Sequence, residues 1–424
     1  MVTINVNPEA NKNMLIIGAG EAGGRIACEF SLQGFPNVIA INTAKADLDG
    51  LELSDDNKFL IPVTKGAGAG KDPNVVRNAI DSFYEDVLKF IRSKAAGAEY
   101  VLVCIGGGGG TGGGLGIVMA QIVSEIGLPV GVIYTIPRSN EGTLVFVNAL
   151  DNLKEIHQNA QDAAISPMIV VDNNKLVKEF NPTASNFWGP LNSAIVRVVR
   201  KFNEYSVQPS KFISALDRQD LKRLLSTGGV CAIGELEISA EYSEEQLMTQ
   251  IAEHFFMDGF DLSTSTACGV IVTGTSATLG TSSSAKCIET IFDKISQLLG
   301  GGMFFKGVYE DGDTKFLKIY VIFNGLALPS EQIDEMMKSI RTGYQKIKTQ
   351  QNRLDGVHVD FGSGVGGMFN QQSASKKIVR KSSVNVNVES EGENVENVPV
   401  APNSPTPQTP RNPINIPGIK RGGR

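Results

Sequence analysis

Residues 106–114 read GGGGGTGGG and follow directly on the apolar run VLVCI at 101–105. Glycine costs about 1 kcal/mol relative to alanine in a helix interior, and it loses the most backbone freedom on folding. Eight glycines in nine positions therefore mark a place that needs bare backbone. A glycine-rich turn between a strand and a helix points backbone N–H groups into one concavity. With the positive end of the following helix, those groups hold phosphate. Thr111 adds the one hydroxyl of the turn. Two further turns share this character: GAGEAGG at 18–24, after an apolar strand, and TKGAGAGKD at 64–72, before a helical segment. Three phosphate-type loops point to a nucleoside polyphosphate.

The surrounding pattern predicts the frame. NMLIIGAG, NVIAIN, FLIPV (59–63), VLVCI, PVGVIYTIP and MIVVD (168–172) read as strands. Between them lie helical segments: AGGRIACEFSLQG, one long helix from Pro73 through DPNVVRNAIDSFYEDVLKFIRSKAAG, LGIVMAQIVSEIG and GTLVFVNALDNLKEIHQNA. Near-continuous apolar strands alternating with helices mean a mainly parallel sheet covered on both faces, with ligands bound at the strand ends. After Asn181 the alternation changes. A helix over 190–205 is followed by a polar loop and ALDRQDLKRLLSTGG. GVCAIGELEI, CGVIVTGTSA and KFLKIYVIFNGLAL are strand candidates, and YSEEQLMTQIAEHFF and SSAKCIETIFDKISQLLG helix candidates. The expected fold class is α/β: a Rossmann-like parallel-sheet nucleotide-binding domain, a central helix, a second, smaller α+β domain, a C-terminal helix and a disordered tail. The expected boundaries are 1–12 for a flexible N-terminus, 13–189 for the nucleotide-binding domain and 190–229 for the central helix with its loop. The α+β domain covers 230–330, the C-terminal helix 331–358 and the tail 359–424. Beyond about residue 360 the chain is rich in Gly, Ser, Asn and Pro and cannot bury enough apolar surface to order itself. KKIVRK at 376–381 and IPGIKRGGR at the end are basic, with an acidic stretch between. The tail reads as a tethered binding motif or as a solubilising extension.

Several classes are excluded or weakened. A net charge of -6 over 424 residues argues against a body coated in nucleic acid. The five cysteines, Cys28, Cys104, Cys231, Cys268 and Cys287, form no CxxC pair, which predicts buried thiols in a reducing compartment. No run of 18 uncharged apolar residues predicts a membrane span, and the N-terminus lacks a secretion-signal pattern, so a cytoplasmic location is expected. His157, His254 and His358 stand apart from any metal-ligand spacing. GAGEAG matches the dinucleotide fingerprint GxGxxG, yet Asn42 and Thr43 stand where a ribose-holding acid belongs, and a nicotinamide cofactor leaves two glycine loops without a purpose. GAGAGKD is not a P-loop, because Asp72 replaces the magnesium-binding hydroxyl. Backbone N–H groups must carry the phosphates.

GGGGGTGGG resembles the signature loop of the tubulin and FtsZ superfamily of GTPases. GAGEAGG, AINTAKADL, GAGAGKDPNVVR, YTIPRSNEG, VVDNNKL and DRQDLKRLLSTGG arrive in that superfamily's order across roughly residues 14–330. TIPRSNEG, VVDNNKLVKEF and NGLALPSEQIDEMMKSI look most like the TubZ branch of plasmid and phage proteins. The resemblance implies binding of GTP/GDP with Mg2+. It places Gly20, Glu21, Ala22 and Gly23 under the phosphates and Asn42 near base and ribose. Ala67, Gly68, Ala69, Gly70 and Lys71 close over the terminal phosphate, and Gly108, Gly109, Gly110, Thr111 and Gly112 wrap the diphosphate. Glu141 bonds ribose, and Asn173 and Asn192 read the guanine edge. Trp188 either stacks on the base or is a plain core aromatic; Asn192 either reads the base or caps structure.

The resemblance also implies catalysis shared between molecules. Asp217 and Asp220, three apart at a helix start, match the acids that family members contribute to a neighbour's site. There they would orient the attacking water; the structural alternative is a helix cap. Two departures stand out. Ala215 replaces the asparagine that FtsZ carries two before the first acid, and Thr143 and Leu144 follow Glu141–Gly142 where FtsZ-like proteins run basic. The implied function is a head-to-tail, GTP-hydrolysing filament that partitions or positions plasmid or phage DNA. A small DNA-binding adaptor would bind the basic tail, so DNA is met only indirectly. The alternatives are an FtsZ-type division ring, a nicotinamide enzyme and a non-hydrolysing structural relative.

Overall fold

The computed structural model describes residues 8–239, 244–312 and 315–355. In chain order its elements are α1 (Pro8–Asn11), β1 (Met14–Ala19), α2 (Gly20–Leu32), β2 (Val38–Asn42), α3 (Lys45–Asp49) and β3 (Lys58–Leu60). Next come α4 (Pro73–Ala79), α5 (Tyr84–Lys94), β4 (Tyr100–Gly106), α6 (Gly110–Ile126), β5 (Val130–Ile136), α7 (Thr143–Gln161) and β6 (Met168–Asp172). Then follow α8 (Asn173–Phe180), α9 (Gly189–Tyr205), α10 (Arg218–Leu224), β7 (Val230–Ile238), α11 (Glu244–Glu253) and β8 (Ala267–Gly274). The last are α12 (Ser276–Leu279), α13 (Ser282–Leu299), β9 (Met303–Glu310), β10 (Leu317–Leu326) and α14 (Ser330–Asp355).

Ten strands form one sheet in the order β3-β2-β1-β4-β5-β6-β7-β10-β8-β9. From β3 to β7 all pairings are parallel. β10 runs antiparallel to β7 and β8, and β9 is parallel to β8. The smaller α+β part thus continues the first sheet through the pairs Met168–Val230 and Ile169–Cys231. Period-two alternation splits each central strand between two cores. Leu15, Ile17, Val101, Val103 and Ile105 face α6 and α7, while Met14, Ile16, Leu102 and Cys104 face α2 and α9. Burial on both faces is why these strands read as unbroken apolar runs. The strand order reverses between β1 and β4, and the crevice outside such a switch point is where open α/β sheets bind ligands.

The glycine turn answers its own question here. None of residues 106–114 has a positive φ; the requirement is close approach. A Cβ on Gly107 would overlap the Tyr134 hydroxyl, and one on Gly108 would overlap Val145. A Cβ on Gly110 would lie 2.9 Å from both the Ala69 Cβ and the Asp72 nitrogen.

The structure corrects five expectations. The long helix from Pro73 is two helices, α4 and α5, separated by a 3-10 turn at Ile80–Ser82; Asp81 and Ser82 favour turns over helix interiors. The third strand is three residues, Lys58–Leu60, instead of 59–63. β9 escapes detection because MFFKGVYE lacks alternation. α8 also escapes it, in the stretch between the strand at 168–172 and Asn181 where no element was expected. Within the expected flexible start, Ala10 and Asn11 are buried, and the Asn203 Nδ2 donates to the Ala10 carbonyl and the Asn11 Oδ1, both at 2.9 Å. The tail 359–424 and its basic motif lie outside the described residues. All five cysteines are buried and free, and no described helix is long and apolar enough to cross a membrane.

Gly108→Ala should lose about 1–3 kcal/mol of unfolding free energy through overpacking. Gly109→Ala should change it by less than about 0.5 kcal/mol, since only the Gly106 oxygen at 3.7 Å approaches an added Cβ there. Denaturant titration of the two variants side by side measures the contrast.

Candidate functional site

The segments that follow β1 through β6 enclose a cavity of about 410 Å³, within the rough 300–1,000 Å³ span of small-molecule sites. Glu21, Ala22 and Arg25 line it from α2, residues 67–71 from the second glycine loop, and residues 106–112 from the glycine turn. Glu141, Asn173, Trp188 and Asn192 close the far end. Of the residues singled out from sequence, the structure brings these together: Glu21, Ala22, Ala67, Gly68, Ala69, Gly70, Lys71, Gly108, Gly109, Gly110, Thr111, Gly112, Glu141, Asn173, Trp188 and Asn192.

Gly20, Gly23 and Asn42 are not in the lining. Gly20, at φ +75°, lets the backbone pass within reach of Gly112, whose nitrogen would sit 2.7 Å from an added Cβ. Gly23 abuts the Cys104 carbonyl. Asn42 is buried and works locally. Its Oδ1 accepts from the N–H groups of Thr43 (2.7 Å) and Ala44 (3.1 Å), and its Nδ2 donates to Asp47 Oδ2 at 3.0 Å. These residues shape the cradle from behind.

The helix ends explain what the cavity suits. An α-helix leaves its first N–H groups without intrahelical acceptors. α4, α8, α10, α12 and α13 satisfy one with a side-chain cap. α2 and α6 have none, and neither do α3, α5, α7 and α9; what sets α2 and α6 apart is that their glycine-rich first turns line the cavity. Two uncapped helix starts facing one space form an anion site. The ionisable lining is Glu21, Arg25, Asp47, Lys71 and Glu141, and Arg25 is already paired with Glu21 at 2.6 Å. Cationic side chains therefore do not outnumber carboxylates, and backbone must supply most of the attraction. The Thr111 hydroxyl lies 2.6 Å from that of Thr43, a pairing that sequence reading missed because the two residues belong to separate motifs 68 positions apart.

At the far end, Asp172 caps α8 by accepting from the Asn174 N–H at 2.8 Å, which fixes Asn173 at the cavity edge. Burial pushes the Asp172 carboxyl above its ordinary range. Glu141 accepts from the Arg138 N–H at 2.8 Å. Trp188 is half-buried, its ring edge-on to Phe187 at 5.0 Å. It lines the cavity and packs against the α2–α9 core, so the two readings of this residue are compatible.

Asp217 and Asp220 stand elsewhere. They form a capping box at the start of α10: the Asp220 N–H donates to Asp217 Oδ1 at 2.8 Å, and the Asp217 N–H to Asp220 Oδ2 at 3.3 Å. Neither lines the cavity of its own chain. The loop before them is laced to β9. Ser210 Oγ donates to the Val308 carbonyl (2.6 Å), Ser214 Oγ to the Lys306 carbonyl (2.9 Å), and the Leu216 N–H to the Tyr309 hydroxyl (2.8 Å). Tyr309 stacks on Tyr205 at 4.2 Å, and Tyr205 donates to Asp311 at 2.5 Å. The two carboxylates thus sit on a braced, solvent-facing corner.

The cradle fits a nucleoside polyphosphate in volume and in donor chemistry. Among the described residues no three His, Cys, Asp or Glu side chains cluster to hold a metal. A magnesium ion suits the site only in company with phosphate oxygens, the usual arrangement for that ion, with Glu21, Asp47 and Glu141 the carboxylates of the lining.

Residues 13–181 match the family model described as Tubulin/FtsZ family, GTPase domain. The tubulin-like protein CetZ of Pyrococcus abyssi (strain GE5 / Orsay) is 28% identical over 336 residues, covering 76% of this chain and 88% of that one. The cell division protein FtsZ 1 of Thermococcus kodakarensis (strain ATCC BAA-918 / JCM 12380 / KOD1) is 25% identical over 337 residues, 76% and 83% of the two chains. Among solved structures, a GTPγS-form protofilament of Bacillus thuringiensis serovar israelensis TubZ superposes with a TM-score of 0.70 at 20% identity, covering 83% and 96%. The likeness spreads over three branches of one superfamily, and the TubZ branch does not stand apart from the other two.

Removing either cap by Asp217→Ala or Asp220→Ala should lower stability by about 1 kcal/mol in denaturant unfolding, with nucleotide affinity of the unassembled protein unchanged. The brace behind them has a pH signature. Burial opposes the Asp311 charge, but Lys201 and Tyr205 outweigh it and hold the carboxyl below its ordinary 3.8. A carboxyl depressed on folding stabilises above the unfolded value and loses that contribution as pH falls through the folded one. Stability measured below pH 3.8 should therefore fall more steeply in the native protein than in Asp311→Asn.

Proposed function

We propose, for a chain that belongs to the tubulin/FtsZ superfamily of GTPases, a head-to-tail filament protein whose hydrolytic site is shared between neighbours. The nucleotide occupies the cavity of one molecule. The triphosphate lies along the uncapped starts of α2 and α6, guanine meets Asn173 and Asn192, and ribose meets Glu141. Asp217 and Asp220 of the next molecule complete the site. The observation that carries this reading is the separation inside one chain: a cradle with phosphate donors that neither Asp217 nor Asp220 lines, and these two acids paired on a corner outside it, Asp217 exposed and Asp220 partly so.

In the joined site the neighbour's carboxylates orient a water molecule in line with the terminal phosphorus. The new P–O bond forms as the bond to the bridging oxygen breaks. The water's proton passes to a carboxylate, and GDP and phosphate remain. Magnesium, carried on the phosphates, would neutralise their charge. Loss of the terminal phosphate then weakens the contact it had bridged.

The cargo we put first is plasmid or phage DNA, reached through a small DNA-binding adaptor on the basic tail. The net charge of -6 supports an indirect contact, since a DNA-coated body would be basic. A division-ring role is the second reading, favoured by relatives named for cell division at 25–28% identity.

Turnover of GTP per molecule should stay low in dilute solution and rise sharply above a threshold concentration at which protein pellets with a slowly hydrolysed analogue. Asp220→Ala should still pellet but lose about 100-fold or more of its turnover. Unchanged turnover in that variant overturns the shared site. Deleting residues 412–424 should abolish adaptor binding and leave turnover intact. If the deletion instead costs binding to division proteins, the second reading stands.

A further inference from the structure

Three carbonyl oxygens of the cradle are tied back from outside it by two asparagines on α7. Asn148 and Asn152 stand one turn apart, and both are buried. The Asn148 Nδ2 donates to the Lys71 carbonyl at 2.7 Å and to the Gly108 carbonyl at 3.3 Å. Asn152 Nδ2 donates to the Gly107 carbonyl at 2.7 Å, and its Oδ1 accepts from Arg77 at 2.9 Å. Arg77 is held in turn by Glu155 at 2.6 Å. One side chain, Asn148, therefore bridges the loop that ends at Lys71 and the glycine turn.

The bridged loop is not in a relaxed state. Lys71 has φ +61°, a left-handed conformation that a residue with a Cβ avoids unless its surroundings enforce it. Two neighbours enforce it here. The Lys71 Cα sits where an added Cβ on Gly110 would lie only 3.1 Å away, and the Lys71 carbonyl is captured by Asn148. A buried amide donor lost at this point leaves two carbonyls short of a partner, and the loop is then free to leave the left-handed region.

We propose that Asn148 is a positioning residue that makes this protein distinguish a nucleoside triphosphate from a diphosphate. The inference rests on the nucleotide reading of the cavity, with the terminal phosphate against residues 67–71 and the diphosphate against the glycine turn. With Asn148 in place the fold holds the 67–71 loop in its receiving shape, and the ligand need not order it. Without the bridge, the triphosphate must order the loop on binding. A diphosphate that touches only the glycine turn is affected far less, because Asn148 holds Gly108 by the longer of its two bonds, 3.3 Å, and Asn152 still holds Gly107 at 2.7 Å. Asn148 is not itself in the cavity lining, so its effect passes through the two loops it holds.

The test uses the full chain below its assembly threshold. Affinities for GTPγS and for GDP are measured by displacement of a fluorescent guanine nucleotide in the native protein, in Asn148→Leu, which keeps the volume and removes the donor, and in Asn148→Ser, which is too short to span both carbonyls. Thermal unfolding of each variant is recorded alongside. The expected result is a loss of about tenfold for GTPγS, the worth of one hydrogen bond, against less than about twofold for GDP, in both variants. Equal losses for the two nucleotides, or an unchanged ratio, would mean that Asn148 only packs and the proposal is wrong. If the native protein binds neither nucleotide, the nucleotide reading itself fails, and the proposal with it.

Discussion

No side chain fits between the glycine turn and its surroundings, and the architecture of the site follows from that exclusion. Tyr134, Val145, Ala69 and Asp72 press against positions 107, 108 and 110 so closely that one added carbon at any of them forces a rearrangement. The backbone can therefore approach a ligand on one side because it is gripped on the other. Burial of the β4 and β5 residues on both faces of the sheet supplies the grip. The uncapped start of α6 supplies the attraction. A cradle built in this way needs no lysine, which agrees with a lining in which carboxylates match or outnumber cations.

The same economy governs the acids. Asp217 and Asp220 satisfy each other's backbone N–H groups, so a pair of carboxylates can be kept at an exposed corner without cost to the fold. Tyr309, Tyr205 and Asp311 brace the loop that leads to them. Structural cap and proposed catalytic acid are one geometry rather than rival explanations: a cap fixes a carboxylate where a neighbouring molecule can find it. The α7 asparagines act similarly on the cradle, since they take up carbonyls so that N–H groups face inward.

Much of this was legible in the sequence because the site is made of backbone. Glycine runs announce themselves, and the apolar runs beside them announce a sheet buried on both faces. The sixteen cavity residues named from motifs are therefore those whose loops carry a pattern. Asn42, Gly20 and Gly23 were named by motif position and stand just outside the lining, because sequence order does not say which side of a turn faces the cavity. Thr43, Arg25, Asn148 and Asn152 went unread for the opposite reason. Thr43, Asn148 and Asn152 are single polar residues whose partners are tens of positions away, and only the fold brings them together; Arg25 pairs locally, with Glu21 one turn before it, and nothing in that pairing says which way it faces. Asn148 and Asn152 did leave a trace: two amides four apart on an otherwise apolar helical face. The break between α4 and α5 and the edge strand β9 were hidden by local patterns weaker than the tertiary contacts that decide them.

The central claim is that cradle and acids act across two molecules. Its most direct measurement mixes two inactive variants: Asp217→Ala/Asp220→Ala, with an intact cradle, and Gly110→Val, whose new side chain collides with Ala69, Lys71 and Asp72 and so disrupts the cradle. Each alone should hydrolyse almost no GTP. In filaments shown by pelleting to contain both chains in equal amounts, roughly a quarter of head-to-tail contacts would join an intact cradle to intact acids, and turnover should return to about that fraction of the native rate. A mixture as inactive as its components would show that both halves must belong to one chain, and would contradict the account.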